Sequence, residues 1–92
     1  MILFASVECL FYHCRSLKDK RALLQRMIAR LRQKFNVSVS EIEYQDAWQR
    51  TKIGIALVAS AKKPAEQEMQ RVLQIIDSFP ELERTVTNLE WL

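Results

Sequence analysis

The chain has 92 residues, 49% hydrophobic and 27% charged, with a formal net charge of +3. That is the size of one domain with room for a single core, in the composition range of ordinary soluble globular proteins. No apolar run approaches the roughly 20 residues of a membrane span, the opening Met-Ile-Leu-Phe lacks the basic leader of a secretory signal, and one glycine, Gly54, is too few for most phosphate-cradling loops.

Ile2 to Tyr12 reads as a strand. Leu3, Ala5, Val7, Cys9 and Phe11 form an uncharged face turned to the core, and Ile2, Phe4, Ser6, Glu8 and Leu10 form the other. A strand apolar on most of both faces is expected to be central in its sheet. Cys9 and Cys14 are the only cysteines, without the C-x₂-C spacing of a zinc or redox pair and awkwardly close for a disulfide. Both are expected to be reduced thiols in a cytoplasmic protein.

Ser16 is a suitable N-cap for a helix running to about Lys34, with Asp19 adding a carboxylate to its first turn. Leu17, Leu24, Ile28, Leu31 and Phe35 share one stripe, with Met27 beside them. Asn36, tolerant of the left-handed conformation, is the expected stop. Val37 to Tyr44 is a second strand whose alternation breaks near Ser40 or Glu41, where a bulge is expected. A turn around Asp46 leads to a third strand, Thr51 to Ser60, with Ile53, Ile55, Leu57 and Ala59 inward. On its other face the small residues Gly54 and Ala56 predict close approach by a neighbour.

Pro64 suits the first turn of a second helix, with Ala65, Met69, Val72, Leu73, Ile76 and Phe79 as its apolar stripe and Phe79-Pro80 as its end. Arg84 to Leu92 closes the chain as a strand, with Thr85, Thr87, Leu89 and Trp91 on one face. The order β-α-β-β-α-β predicts an α+β, ferredoxin-like domain: two helices on one face of a four-stranded antiparallel sheet. Ile2, Phe4, Leu10 and Val58 then lie on the open face, too apolar to leave wet, which predicts a homodimer through that face.

The run Ser16-Leu-Lys-Asp-Lys-Arg21, followed by Phe35-Asn-Val-Ser-Val39, Glu41, Asp46-x-Trp48-Gln49, Ser78-Phe-Pro80 and Glu90-Trp-Leu92, resembles the YlxP-like family over essentially the whole chain. The resemblance implies a small bacterial protein of ferredoxin-like fold and unassigned function. It also implies a setting among transcription, translation-initiation and ribosome-maturation genes, and hence a possible ribosome-binding factor. It carries no catalytic residues with it.

Charge is distributed unevenly. Residues 15–34 hold eight cations (Arg15, Lys18, Lys20, Arg21, Arg26, Arg30, Arg32 and Lys34) against one acid, Asp19. That local +7 in a chain of +3 leaves −4 elsewhere. Arg26, Arg30 and Lys34 recur every four residues, where like charges repel by a few tenths of a kcal/mol. Such an array suits a phosphate backbone; equally it suits a solvated face, or one neutralised by carboxylates elsewhere or on an acidic partner protein. Trp48 in its turn could stack on an unpaired base with Arg50 near a phosphate, or fold back over the core end or into a dimer contact. His13 beside Cys14 lacks a third catalytic member, and a single histidine argues against a transition-metal site. Glu41, Glu43 and Asp46 could gather round a divalent cation or lie on an exposed strand face, paired with Arg50 or Lys52. The loop Tyr12–Ser16 has the arginine but not the glycine of an acylphosphatase-like cradle. The expectation is therefore a non-enzymatic module that needs no cofactor or metal and binds RNA or the ribosome through its first helix.

Overall fold

Side-chain alternation in the first strand separates two layers. Leu3, Ala5, Val7, Cys9 and Phe11 are all buried, while Ile2 and Leu10 on the opposite face are exposed. The computed structural model describes residues 1–92. It contains β1 (Ile2–Phe11), α1 (Leu17–Lys34), β2 (Val37–Glu43), β3 (Arg50–Val58), α2 (Lys62–Asp77) and β4 (Leu82–Trp91). The sheet order is β2-β3-β1-β4, every pair antiparallel. This is the expected ferredoxin-like βαββαβ arrangement, with the two most apolar strands in the centre. One core lies between the sheet and both helices, where Ile53, Ile55 and Leu57 meet Met27 and Leu31 of α1 and Met69, Val72 and Ile76 of α2.

Several local expectations are corrected. Phe35, not Asn36, closes α1, in extended conformation and with its N–H bonded to Leu31 O; the one non-glycine residue at positive φ is Tyr44, at 63°. The β2 bulge falls between Glu41 and Glu43, at the Glu41 alternative rather than the Ser40 one. In β4 the register shifts opposite Glu8, so that Thr85 and Val86 stand against a single β1 residue. Thr85 therefore leaves the face of Thr87, and its hydroxyl donates to Glu8 O, while Arg84 takes that place and donates to Thr87 Oγ1 at 2.8 Å. Arg84 also grips both Asp77 oxygens, at 2.8 and 2.9 Å, tying the end of α2 to the start of β4. That hydrogen-bonded guanidinium holds the Asp77 carboxyl below its usual range. Gly54 behaves as its size predicts: a Cβ there would stand 3.1 Å from the Phe4 ring and 3.2 Å from Ile42.

The buried stripe of α1 is Lys20, Leu23, Leu24, Met27 and Leu31, turned from the predicted one so that Leu17 and Ile28 lie at its edge. The rotation carries a lysine inward. Lys20 Nζ lies 2.9 Å from Glu41 Oε2 and donates to Tyr44 O at 2.5 Å, and Glu41 also accepts the Thr51 hydroxyl. Removing one partner of such a pair strands the other charge, whereas replacing both by apolar groups does not. Lys20→Met is expected to cost about 3–5 kcal/mol in urea unfolding, and Lys20→Met with Glu41→Leu to recover most of it. A single-variant loss no larger than that of exposed Lys18→Met would show that the pair contributes nothing.

Candidate nucleic-acid interface

At 100° per residue the outer surface of α1 divides into two cationic rows. Lys18, Arg21 and Arg32 line the flank toward β2, where Arg32 donates to Val39 O at 2.9 Å. Arg26, Arg30 and Lys34 line the flank toward the end of α2, where Arg26 meets Glu81 and the Arg30 guanidinium lies 4.8 Å from the centre of the Phe79 ring. Exposed Ala22 and Ala29 separate the rows, and Gln25 lies within the first of them. The helix is held in place by its buried stripe and capped by Ser16, whose hydroxyl accepts the Asp19 N–H at 3.1 Å. The cations therefore sit on a rigid rod about 27 Å long.

Not all eight cations are available. Lys20 is 1% exposed and engaged with Glu41, so it leaves the candidate set: its charge holds the fold together and faces no solvent. Arg26 is exposed but bonded to Glu81 at 2.5 Å, and that bond holds the Glu81 carboxyl below the usual carboxylate range. Arg15, Lys18, Arg21, Arg30, Arg32 and Lys34 are exposed and make no ion pair within the chain.

Arg50 belongs elsewhere. Its β1 partner in the ladder is Leu10, on the open sheet face, where its guanidinium bonds Glu8 Oε1 at 3.1 Å and covers the Tyr44 ring at 3.9 Å. It does not join the α1 rows. Trp48 is 53% exposed, so it does not fold over the end of the core. Glu43 pairs with Lys52 at 2.9 Å, Glu41 turns inward to Lys20, and no three His, Cys, Asp or Glu side chains converge. His13 is exposed while Cys14 is buried, and burial pushes the Cys14 thiol up and that of Cys9 up to about 12. Thiols in that state are poor nucleophiles. The Arg15 N–H that an acyl-phosphate cradle would need is given to Asp19 Oδ2 at 3.1 Å.

Glu81 is the partner that sequence reasoning missed, because it lies 55 residues from Arg26 and no local pattern joins them. Lys20 carried a fainter signal: its position on the wheel is between Leu24 and Met27, inside the apolar stripe.

The profile of a family described as a protein of unknown function (DUF503) matches residues 2–89. The chain belongs to that family. It is 59% identical over 91 residues to the uncharacterized protein YlxP of Bacillus subtilis (strain 168), covering 99% of each chain. The fold is also similar to a solved structure, that of a dimeric ferredoxin-like protein from an uncultured marine organism. That likeness extends over 97% of this chain and 94% of the other, at 10% identity and a TM-score of 0.42. No helix of the DUF503 chain is long and apolar enough to cross a membrane.

Because the Arg26 bond lowers the folded-state value of Glu81, its contribution is complete above the ordinary value of 4.5 and fades as pH falls through the depressed one. Arg26→Ala is expected to return the Glu81 carboxyl toward its ordinary value in an NMR titration. Both side chains are well exposed, so the accompanying stability change should stay under about 1 kcal/mol. An unmoved Glu81 would mean that Arg26 is as free as its neighbours.

Proposed function

We propose that this DUF503 protein is a non-enzymatic RNA-binding module, acting in a ribosomal setting, whose contact surface is the outer side of α1. One observation carries the reading: six of the eight cations between Arg15 and Lys34 have no carboxylate partner, five on a helix whose position the core determines and Arg15 just before its cap. Uncompensated cations on a rigid element release condensed counterions when they meet a polyphosphate backbone, which favours binding and makes it salt-dependent. Contacts of this kind position a nucleic acid without reading its sequence. The resemblance to the YlxP-like family supports the ribosomal setting.

The variant Arg21→Glu with Lys34→Glu changes one free cation in each row and touches no ion pair. It is expected to weaken binding of a structured ribosomal RNA fragment at least ten-fold and to flatten the salt dependence, with unchanged thermal unfolding. Unchanged binding would remove α1 as the site. Capture of an acidic protein that survives nuclease treatment, with no RNA bound, would favour a protein partner instead.

We also infer that two copies associate through the open sheet face. Ile2, Leu10, Ile42, Val58, Val86 and Leu92 are exposed, and those on β1, β2 and β3 share that face with Phe4 and Ala56. On that face Glu8 pairs with Arg50 and Glu43 with Lys52, so closure would strand none of these four; Glu83 and Glu90, opposite Leu10 and Phe4 on the edge strand β4, have no cation partner within the chain. Four strands about 30 Å long at ~4.8 Å spacing offer on the order of 500 Å² in projection and more in accessible area, close to the ~800 Å² per partner of a stable interface. Val58→Lys with Leu10→Lys should give a folded monomer in sedimentation; a wild-type monomer at high micromolar concentration would refute the dimer.

A further inference from the structure

A different surface stands at the end of the sheet where β1 stops and β3 begins. The ladder of these strands runs from Ile2↔Val58 to Leu10↔Arg50, and the Phe11 N–H donating to Gln49 O at 2.9 Å extends it by one place. Tyr12 and Trp48 are the next residues in that register. They are 51% and 53% exposed, large rings that forgo the burial which usually justifies them.

The Tyr12 backbone and the residues on either side of Trp48 are held by hydrogen bonds. The Tyr12 N–H donates to Glu81 O at 3.0 Å, the Gln49 side-chain amide to Cys14 O at 3.4 Å, and the Ala47 N–H to Tyr44 O at 3.1 Å. His13 adds an exposed third ring, tilted against Tyr12 with centroids 6.4 Å apart. Arg15 and Lys18, both without an acidic partner, follow on the same loop and in the first turn of α1.

The carboxylates nearby decide what such a surface can accept. Glu83 accepts the Tyr12 hydroxyl at 3.0 Å, Asp46 lies in the turn before Trp48, and Asp19 takes the Arg15 N–H. A phosphate over the rings would be repelled, whereas one beside Arg15 and Lys18 would be attracted. A flat uncharged group joined to a phosphate meets both conditions, and that is an unpaired nucleobase in a chain.

We propose that Trp48, with Tyr12 beside it, is the platform on which an unpaired RNA base stacks while Arg15 and Lys18 hold the adjoining phosphate. This rests on the RNA reading above and narrows it. The preferred RNA has a loop, bulge or single-stranded end and is not an uninterrupted duplex.

The test measures fluorescence anisotropy with a labelled 12-nucleotide single strand and a blunt 12-base-pair duplex of the same sequence. Wild type should prefer the single strand. Trp48→Ala should weaken the single strand about ten-fold, the loss expected for one stacked base, and leave the duplex within two-fold. Trp48→Phe, which keeps a π face, should restore most of the loss. Equal losses on both RNAs, or none, would overturn the stacking site while leaving α1 as the RNA surface. A Trp48→Ala protein that sediments as a monomer where wild type is a dimer would overturn it too, by placing Trp48 in the subunit contact. If wild type binds neither RNA, both proposals fall together.

Discussion

The Lys20 ammonium bridges the Glu41 carboxylate and the Tyr44 carbonyl, and through them it fastens α1 to the β2–β3 hairpin. Tyr44 is the residue that needs it. A bulky side chain at φ 63° is uncommon and strained by about 1–3 kcal/mol, yet the turn depends on it. Its carbonyl is held by Lys20, while its ring and hydroxyl are held by Arg50. Two cations thus clamp one residue, and both were candidates for an external ligand when judged by charge alone.

That division of labour sorts the basic residues. Lys20 holds the hairpin, Arg50 holds its turn and the open-face carboxylate Glu8, and Arg26 reaches across to Glu81. What remains is a smaller set, Arg15, Lys18, Arg21, Arg30, Arg32 and Lys34, spread along the side of α1 that the core does not use. The acidic remainder of the chain does not neutralise it: Glu68 pairs with Arg71, Asp77 with Arg84 and Glu43 with Lys52. Only Glu41 and Glu81 reach cations of the first helix, and the remaining positive excess on α1 stays outward.

The two sides of the sheet differ for a related reason. The helix side is filled by one continuous apolar cluster. The open side keeps exposed aliphatic groups between two matched ion pairs, with the unpaired Glu83 and Glu90 confined to the edge strand β4. In the proposed dimer the α1 helices would face away from the subunit contact, so assembly would leave the α1 cations open to RNA.

Strand and helix order were legible because the periods differ: Leu3 to Phe11 alternates by two, while Leu24 to Leu31 recurs at three and four. The Ser16 cap followed from its hydroxyl, the Gly54 contact from residue size, and the central places of β1 and β3 from hydropathy and topology. The candidate site was legible only as an inventory of cations. Whether each was free depended on acids far away along the chain, Glu41 for Lys20, Glu81 for Arg26 and Glu8 for Arg50, and strand register and helix rotation settled those encounters. Local pattern determines which residues can share a face, because side-chain direction repeats with the backbone. Only the packed fold determines which charges meet, because Coulomb attraction acts through space and takes no account of position along the chain.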